Sequence, residues 1–129
     1  MHYPIAIEPG DETHAFGVTV PDLPGCFSAG DTLDEAIANA REAIDLHLEG
    51  LAEDEATIPQ AGTIASHYAK PEFAGYVWGV VEIDISRYLG KAEKINVTLP
   101  GRLIRRIDAL TTNRSGWLAE AALEKLQHH

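Results

Sequence analysis

Lys94-Ile95-Asn96-Val97-Thr98-Leu99 alternates polar and apolar side chains at the two-residue period of a β-strand, and Pro100-Gly101 ends the run. Its polar set, Lys94, Asn96 and Thr98, has the chemistry of a base-edge reader. Asn pairs bidentately with adenine, Lys reaches O6 and N7 of guanine, and Thr contacts a base edge or the thymine methyl. Farther along, Arg114-Ser115-Gly116 opens a second helical pattern, with Ser115 as the expected cap. Backbone N–H groups of Ser115 and Gly116, helped by Arg114, are suited to holding a phosphate there.

Other chemistry is poorly supported. Glu8, Glu82 and Asp84 could approach one another on neighbouring strands, but no motif places the further carboxylate that a two-metal nuclease would need. His2, His14, His47 and His67 have no metal-ligand spacing, and His128-His129 only ends the chain. Cys26, beside Phe27, reads as a small core residue. No phosphate loop, nucleophile elbow or zinc pattern is present. The residues therefore call for no catalytic group, metal or cofactor.

The polar row needs a scaffold. A helix from about Pro100 to Leu110 presents Leu103, Ile104, Ile107 and Leu110 on one face. Thr111 to Arg114 turn the chain, and a second helix to about Leu126 turns Leu118, Ala122 and Leu126 inward. One strand and two helices cannot bury enough apolar surface alone. The strand needs a partner, and the simplest is its own copy from a second chain. A two-stranded antiparallel ribbon would bury Ile95, Val97 and Leu99 against the helices and point Lys94, Asn96 and Thr98 outward, in a form the major groove admits.

The N-terminal part reads as a separate α+β domain. Tyr3, Ile5 and Ile7 alternate in a strand where Pro4 favours a sheet edge. A polar turn from Glu8 to His14 leads to a second strand carrying Phe16, Val18 and Val20, and the two predict a hairpin. Pro21-Asp22-Leu23-Pro24-Gly25 is a turn by its chemistry, and a short strand Cys26–Ser28 follows. Thr32 and Glu35 fit a capping box for a helix from about Leu33 to Leu51, whose outer face carries Glu35, Glu42, Asp45 and Glu49. Residues 53–75 read as loop with one helical turn near Thr63–Tyr68. Residues 76–85 form a last strand with Val77, Val81, Ile83 and Ile85 on one side. The domains expected are residues 1–86 and 94–129, with 87–93 as linker.

Charge divides at the same place. The net charge of −10 hides sixteen acids against Arg41 and Lys70 over residues 1–86, and eight basic residues against four acids from Arg87 onward. A basic end suits phosphates, and an acidic body repels them. No apolar run is long enough to span a membrane, the first residues form no signal peptide, and a single cysteine permits no internal disulfide. A cytoplasmic protein without membrane contact is the expectation.

Residues 93–127 resemble the ribbon-helix-helix family through Lys94-Ile95-Asn96-Val97-Thr98-Leu99-Pro100 and Asn113-Arg114-Ser115-Gly116-Trp117-Leu118. In that family alternate strand residues read bases, which here are Lys94, Asn96 and Thr98. Residues 3–85 resemble the HicB antitoxin family through Phe16-Gly17-Val18-Thr19-Val20-Pro21-Asp22-Leu23-Pro24-Gly25-Cys26 and Gly30-Asp31-Thr32-Leu33-Asp34-Glu35-Ala36. That resemblance implies a partial ribonuclease-H-like fold without nuclease activity, which blocks a HicA-type mRNA-cleaving toxin. It also implies repression of the protein's own operon through operator double-stranded DNA, and a homodimer raised to a tetramer through the first domain. An acidic body suits a basic RNA-cutting partner, with Glu35, Glu42 and Glu49 as candidate toxin contacts. The alternative is a stand-alone ribbon-helix-helix regulator whose first domain senses or assembles without catalysis.

Overall fold

The computed structural model describes residues 1–127; His128 and His129, with the expectation attached to them, lie outside the described residues. The chain divides into two compact units, Met1–Ile83 and Asp84–His129. No helix among the described residues is long and apolar enough to cross a membrane.

In the first unit, β1 (His2–Glu8), β2 (Phe16–Thr19), β3 (Phe27–Gly30) and β4 (Val77–Glu82) form one antiparallel sheet in the order β3-β2-β1-β4. The expected hairpin is β1–β2, with Ile7 opposite Val18. Strand β1 lies inside the sheet, which corrects the edge position expected from Pro4. Met1 and Ile83 exchange both backbone hydrogen bonds, at 2.9 and 2.8 Å, so the bonded positions of the β1–β4 ladder continue at Tyr3, Ile5 and Ile7. Pro4, opposite Val80, falls between them, and the β2 ladder begins only at Ala6. The missing N–H of Pro4 therefore removes no ladder bond.

Residues paired across strands share a face. Ile7, Val18 and Ser28 are in register, and the Ser28 hydroxyl donates to the carbonyl of Ala36 at 3.4 Å. That face is the one covered by α1 (Leu33–Glu53). Every fourth residue of the helix, Ala36, Ala40, Ile44 and Leu48, is buried. Thr32 caps it as expected, its Oγ1 accepting from the Glu35 N–H at 3.1 Å, while no return bond from the Glu35 carboxylate occurs among the described residues. The helix starts so close to the sheet that a Cβ on Gly30 would lie 2.4 Å from the Ala36 nitrogen. Side chains of α1 also hold both edge strands: Asn39 Nδ2 donates to the Ala29 carbonyl at 2.8 Å, and Arg41 Nη1 to the Glu82 carbonyl at 2.7 Å.

The other face carries Ala6 and Trp78, which are paired. The single expected turn at Thr63–Tyr68 is two short 3-10 turns, Ile64–Ser66 and Pro71–Phe73. They bring rings onto Trp78, with Phe73 edge-on at 5.3 Å and His67 stacked at 6.4 Å. Val77, expected inward, is half exposed near the end of the edge strand.

The second unit begins with a 3-10 turn, Ile85–Tyr88, whose capping Asp84 accepts from the N–H and hydroxyl of Ser86 at 3.1 and 2.7 Å. Arg87 and Tyr88, expected in the linker, belong to this turn, and the Arg87 guanidinium lies over the Tyr88 ring at 5.2 Å. Helices α2 (Gly101–Leu110) and α3 (Arg114–Gln127) follow, close to the boundaries expected.

Candidate nucleic-acid interface

The second unit places the base-reading candidates in the open. Lys94, Asn96 and Thr98 are exposed, and residues 91–99 pair with no strand of their own chain. Ile95 and Val97 are 75% and 63% exposed. The expected burial against the helices is therefore not made by Ile95 and Val97 within one chain, while Leu99 is half-buried. A strand is held by ladder bonds to a neighbour, and the described residues supply none at that point. Leu110 of α2 and Leu126 of α3 are also more than 70% exposed, while Ile107 alone of the α2 face is buried. Ile95, Val97, Leu110 and Leu126 thus leave large apolar side chains open on a small unit.

At the opening of α3 the structure replaces the expected cap. The helix starts at Arg114, and Asn113, not Ser115, closes it: Asn113 Oδ1 accepts from the Gly116 N–H at 3.0 Å. The Asn113 N–H is itself held by Thr111 Oγ1 at 3.0 Å. Asn in place of Ser follows from ordinary capping chemistry, because either side chain reaches the N–H three residues on. A Cβ on Gly116 would lie 2.4 Å from Asn113 Nδ2, so glycine is what lets the cap close.

Arg114 is engaged as well. Its Nε and Nη2 donate to the two carboxylate oxygens of Asp108 at 3.0 and 2.5 Å, a fork-to-fork pair between α2 and α3. The Arg114 hydrogen bond holds the Asp108 carboxyl below the usual carboxylate range, and Asp108 raises Arg114 in return. Thus of the expected phosphate contacts, the Arg114 side chain and the Gly116 N–H already have partners inside the unit. Each must exchange that partner before it can hold a phosphate.

In the first unit, Glu35, Glu42 and Glu49 are exposed along α1 at seven-residue spacing, which keeps them in one row. The carboxylates considered for a nuclease do not meet. Glu82 stands opposite His2 and Glu8 opposite Gly17, at the two ends of β1 and so about 20 Å apart along the strand. Among the described residues no three His, Cys, Asp or Glu side chains are grouped to hold a metal. Cys26 is buried at the edge of an open depression of about 190 Å³ beside Phe27 and Phe73. Burial pushes its thiol up, away from the thiolate form a nucleophile needs.

Residues 3–122 match the sequence family described as HicB-like antitoxin of bacterial toxin-antitoxin system. The chain belongs to this family. Its fold is similar to the crystal structure of the Burkholderia pseudomallei antitoxin HicB, at 45% identity and a TM-score of 0.78 over 98% of each chain. It is 44% identical over 132 residues, 98% of each sequence, to an uncharacterized 14.9 kDa protein from the rep-hol intergenic region of Haemophilus phage HP1. A chain of the HicA3 and HicB3 toxin-antitoxin complex matches 64% of this one, with 96% of its own length covered, at 32% identity and a TM-score of 0.55.

For this HicB-like chain, the sequence reading missed two structural features of this unit: the Asn113 cap and the Asp108–Arg114 pair. The first had a signal, because Asn113 and Gly116 stand in the same three-residue relation as Thr32 and Glu35. The second had none, because a six-residue separation across a turn has no period to detect.

Proposed function

We propose that this protein is the antitoxin of a toxin–antitoxin pair, neutralising a HicA-type mRNA-cleaving toxin with its first unit and repressing its own operon with its second. The observation that carries this reading is the likeness to antitoxin HicB over nearly the whole of both chains, which spans both units.

In this reading the first unit is a partial ribonuclease-H-like fold without catalysis, and the second is a ribbon-helix-helix domain. Two copies of residues 94–99 pair as an antiparallel ribbon, and the first unit raises the dimer to a tetramer. The exposure of Ile95 and Val97 supports the pairing. Lys94, Asn96 and Thr98 then face the bases of operator double-stranded DNA. Arg114, Ser115 and Gly116 contact phosphate once the Asp108 and Asn113 bonds exchange. The complex of HicA3 with HicB3 supports a toxin as the partner of the acidic unit, and Glu35, Glu42 and Glu49 are the contacts offered. No cofactor takes part.

The test is co-expression with the product of any small basic reading frame that adjoins its own. Growth arrest by that neighbour alone, relieved by this chain with recovery of a stable complex, is the expected result. Arrest that this chain neither relieves nor binds would leave a stand-alone regulator in place of an antitoxin.

A further inference from the structure

Helix α2 carries three arginines, Arg102, Arg105 and Arg106, all exposed. At 3.6 residues per turn they fall within about 100° of arc, beside the apolar face of Leu103, Ile107 and Leu110. None of the three has an ion-pair partner among the described residues. The one acid of α2, Asp108, is committed to Arg114. Arg105 folds back over the first turn, where a Cβ on Gly101 would stand 3.5 Å from its Nη1. Its charge thereby adds to the positive end of the helix dipole. The helix begins directly after the 94–99 segment.

Guanidinium groups free of carboxylates are suited to phosphate oxygens, which they hold through two parallel N–H bonds. The contrast with α3 decides the assignment. Arg114 and the Gly116 N–H must each give up a partner, whereas the α2 arginines give up none. An acidic protein surface would also attract them. The placement immediately beyond a base-reading segment favours the backbone that flanks the bases read.

We propose that the Arg102, Arg105 and Arg106 face of α2 is a sequence-independent phosphate-binding surface that grips the backbone of double-stranded DNA beside the ribbon. This rests on the DNA-binding reading above. It adds residues that set affinity without setting sequence.

The test titrates the full chain against two duplexes over a range of NaCl concentrations. One comes from immediately upstream of the protein's own reading frame; the other has unrelated sequence and equal length. Arg102→Ala, Arg105→Ala and Arg106→Ala should each weaken both duplexes by the same factor. Each should also lower the slope of log K against log salt by about 0.9 per arginine removed. Arg→Lys variants should keep most of that slope, and circular dichroism should show every variant folded. Asn96→Ala should weaken the upstream duplex alone.

If the alanine variants leave both affinities and the slope unchanged while Asn96→Ala still acts, the arginine face is not a DNA surface and the ribbon reading stands. Retained DNA binding with loss of the neighbour-encoded protein would make the face a protein contact and overturn the proposal. If the unaltered chain binds neither duplex, the DNA-binding reading fails and this inference fails with it.

Discussion

His67 and Asp22 are 45 residues apart in the chain and 2.8 Å apart in space. Lys70 Nζ lies 3.0 Å from the other ring nitrogen of His67 and can only donate, so Nδ1 accepts and the proton sits on Nε2, facing Asp22. The second carboxylate oxygen of Asp22 accepts from the Gly62 N–H at 2.8 Å. One acid in the turn after β2 thus ties down the loop that carries rings onto Trp78.

Asp22→Ala should therefore destabilise the first unit by about 1–3 kcal/mol, because it leaves the buried His67 imidazole N–H without an acceptor. Urea unfolding followed by tryptophan fluorescence measures this. A loss well under 1 kcal/mol would show the tie to be incidental.

Acid should loosen the second unit through Asp108. Its carboxyl titrates below the usual range because Arg114 bonds to the ionised form. As pH falls past about 4 the unfolded chain takes up this proton first, so the stability present at neutral pH is lost progressively toward the folded value. Asp108→Asn should start less stable at pH 7 and lose less between pH 6 and pH 3. Asp11 and Asp84 are also lowered and remain in the variant, so the acid response should shrink without vanishing. Thermal melts across that range would contradict the assignment if both proteins lost stability in parallel.

Asn113→Ala should cost about 1 kcal/mol by removing the α3 cap. Gly116→Ala should act through the same bond, since its methyl displaces Asn113. The double variant should then be no worse than the costlier single one. Additive losses in chemical denaturation would mean that the two residues act separately.

Asn96→Ala should cost about 1–3 kcal/mol of operator affinity without unfolding the chain. Anisotropy titration paired with a melting curve separates the two effects. Unchanged operator affinity would remove Asn96 from the base readers.

These outcomes bear on how much the sequence disclosed. Period two marked β1, β2 and β4, and the helical period marked the buried Ala40, Ile44 and Leu48 of α1, because each pattern reports which side of one element meets the core. Thr32 was legible as a cap for the same local reason. Pro4 misled because its usual preference concerns lost donors, and here β2 stops short of it. Glu8 and Glu82 looked like neighbours until the antiparallel register of β1 with β4 set them at opposite ends. Asp22–His67 and Asp108–Arg114 were invisible, since each depends on how a loop or turn folds back. The 94–99 alternation was plain in the sequence, and among the described residues no strand pairs with it.

Pairing of two copies through residues 94–99 is the claim on which the reading of the second unit depends, and sedimentation equilibrium of the unaltered protein beside Val97→Asp tests it most directly. A charge at position 97 would be buried without a partner in the ribbon. The account predicts an assembly of at least two chains for the unaltered protein and half that mass for Val97→Asp, still folded by circular dichroism. A folded, monomeric unaltered protein, or a Val97→Asp variant that assembles just as well, would contradict it.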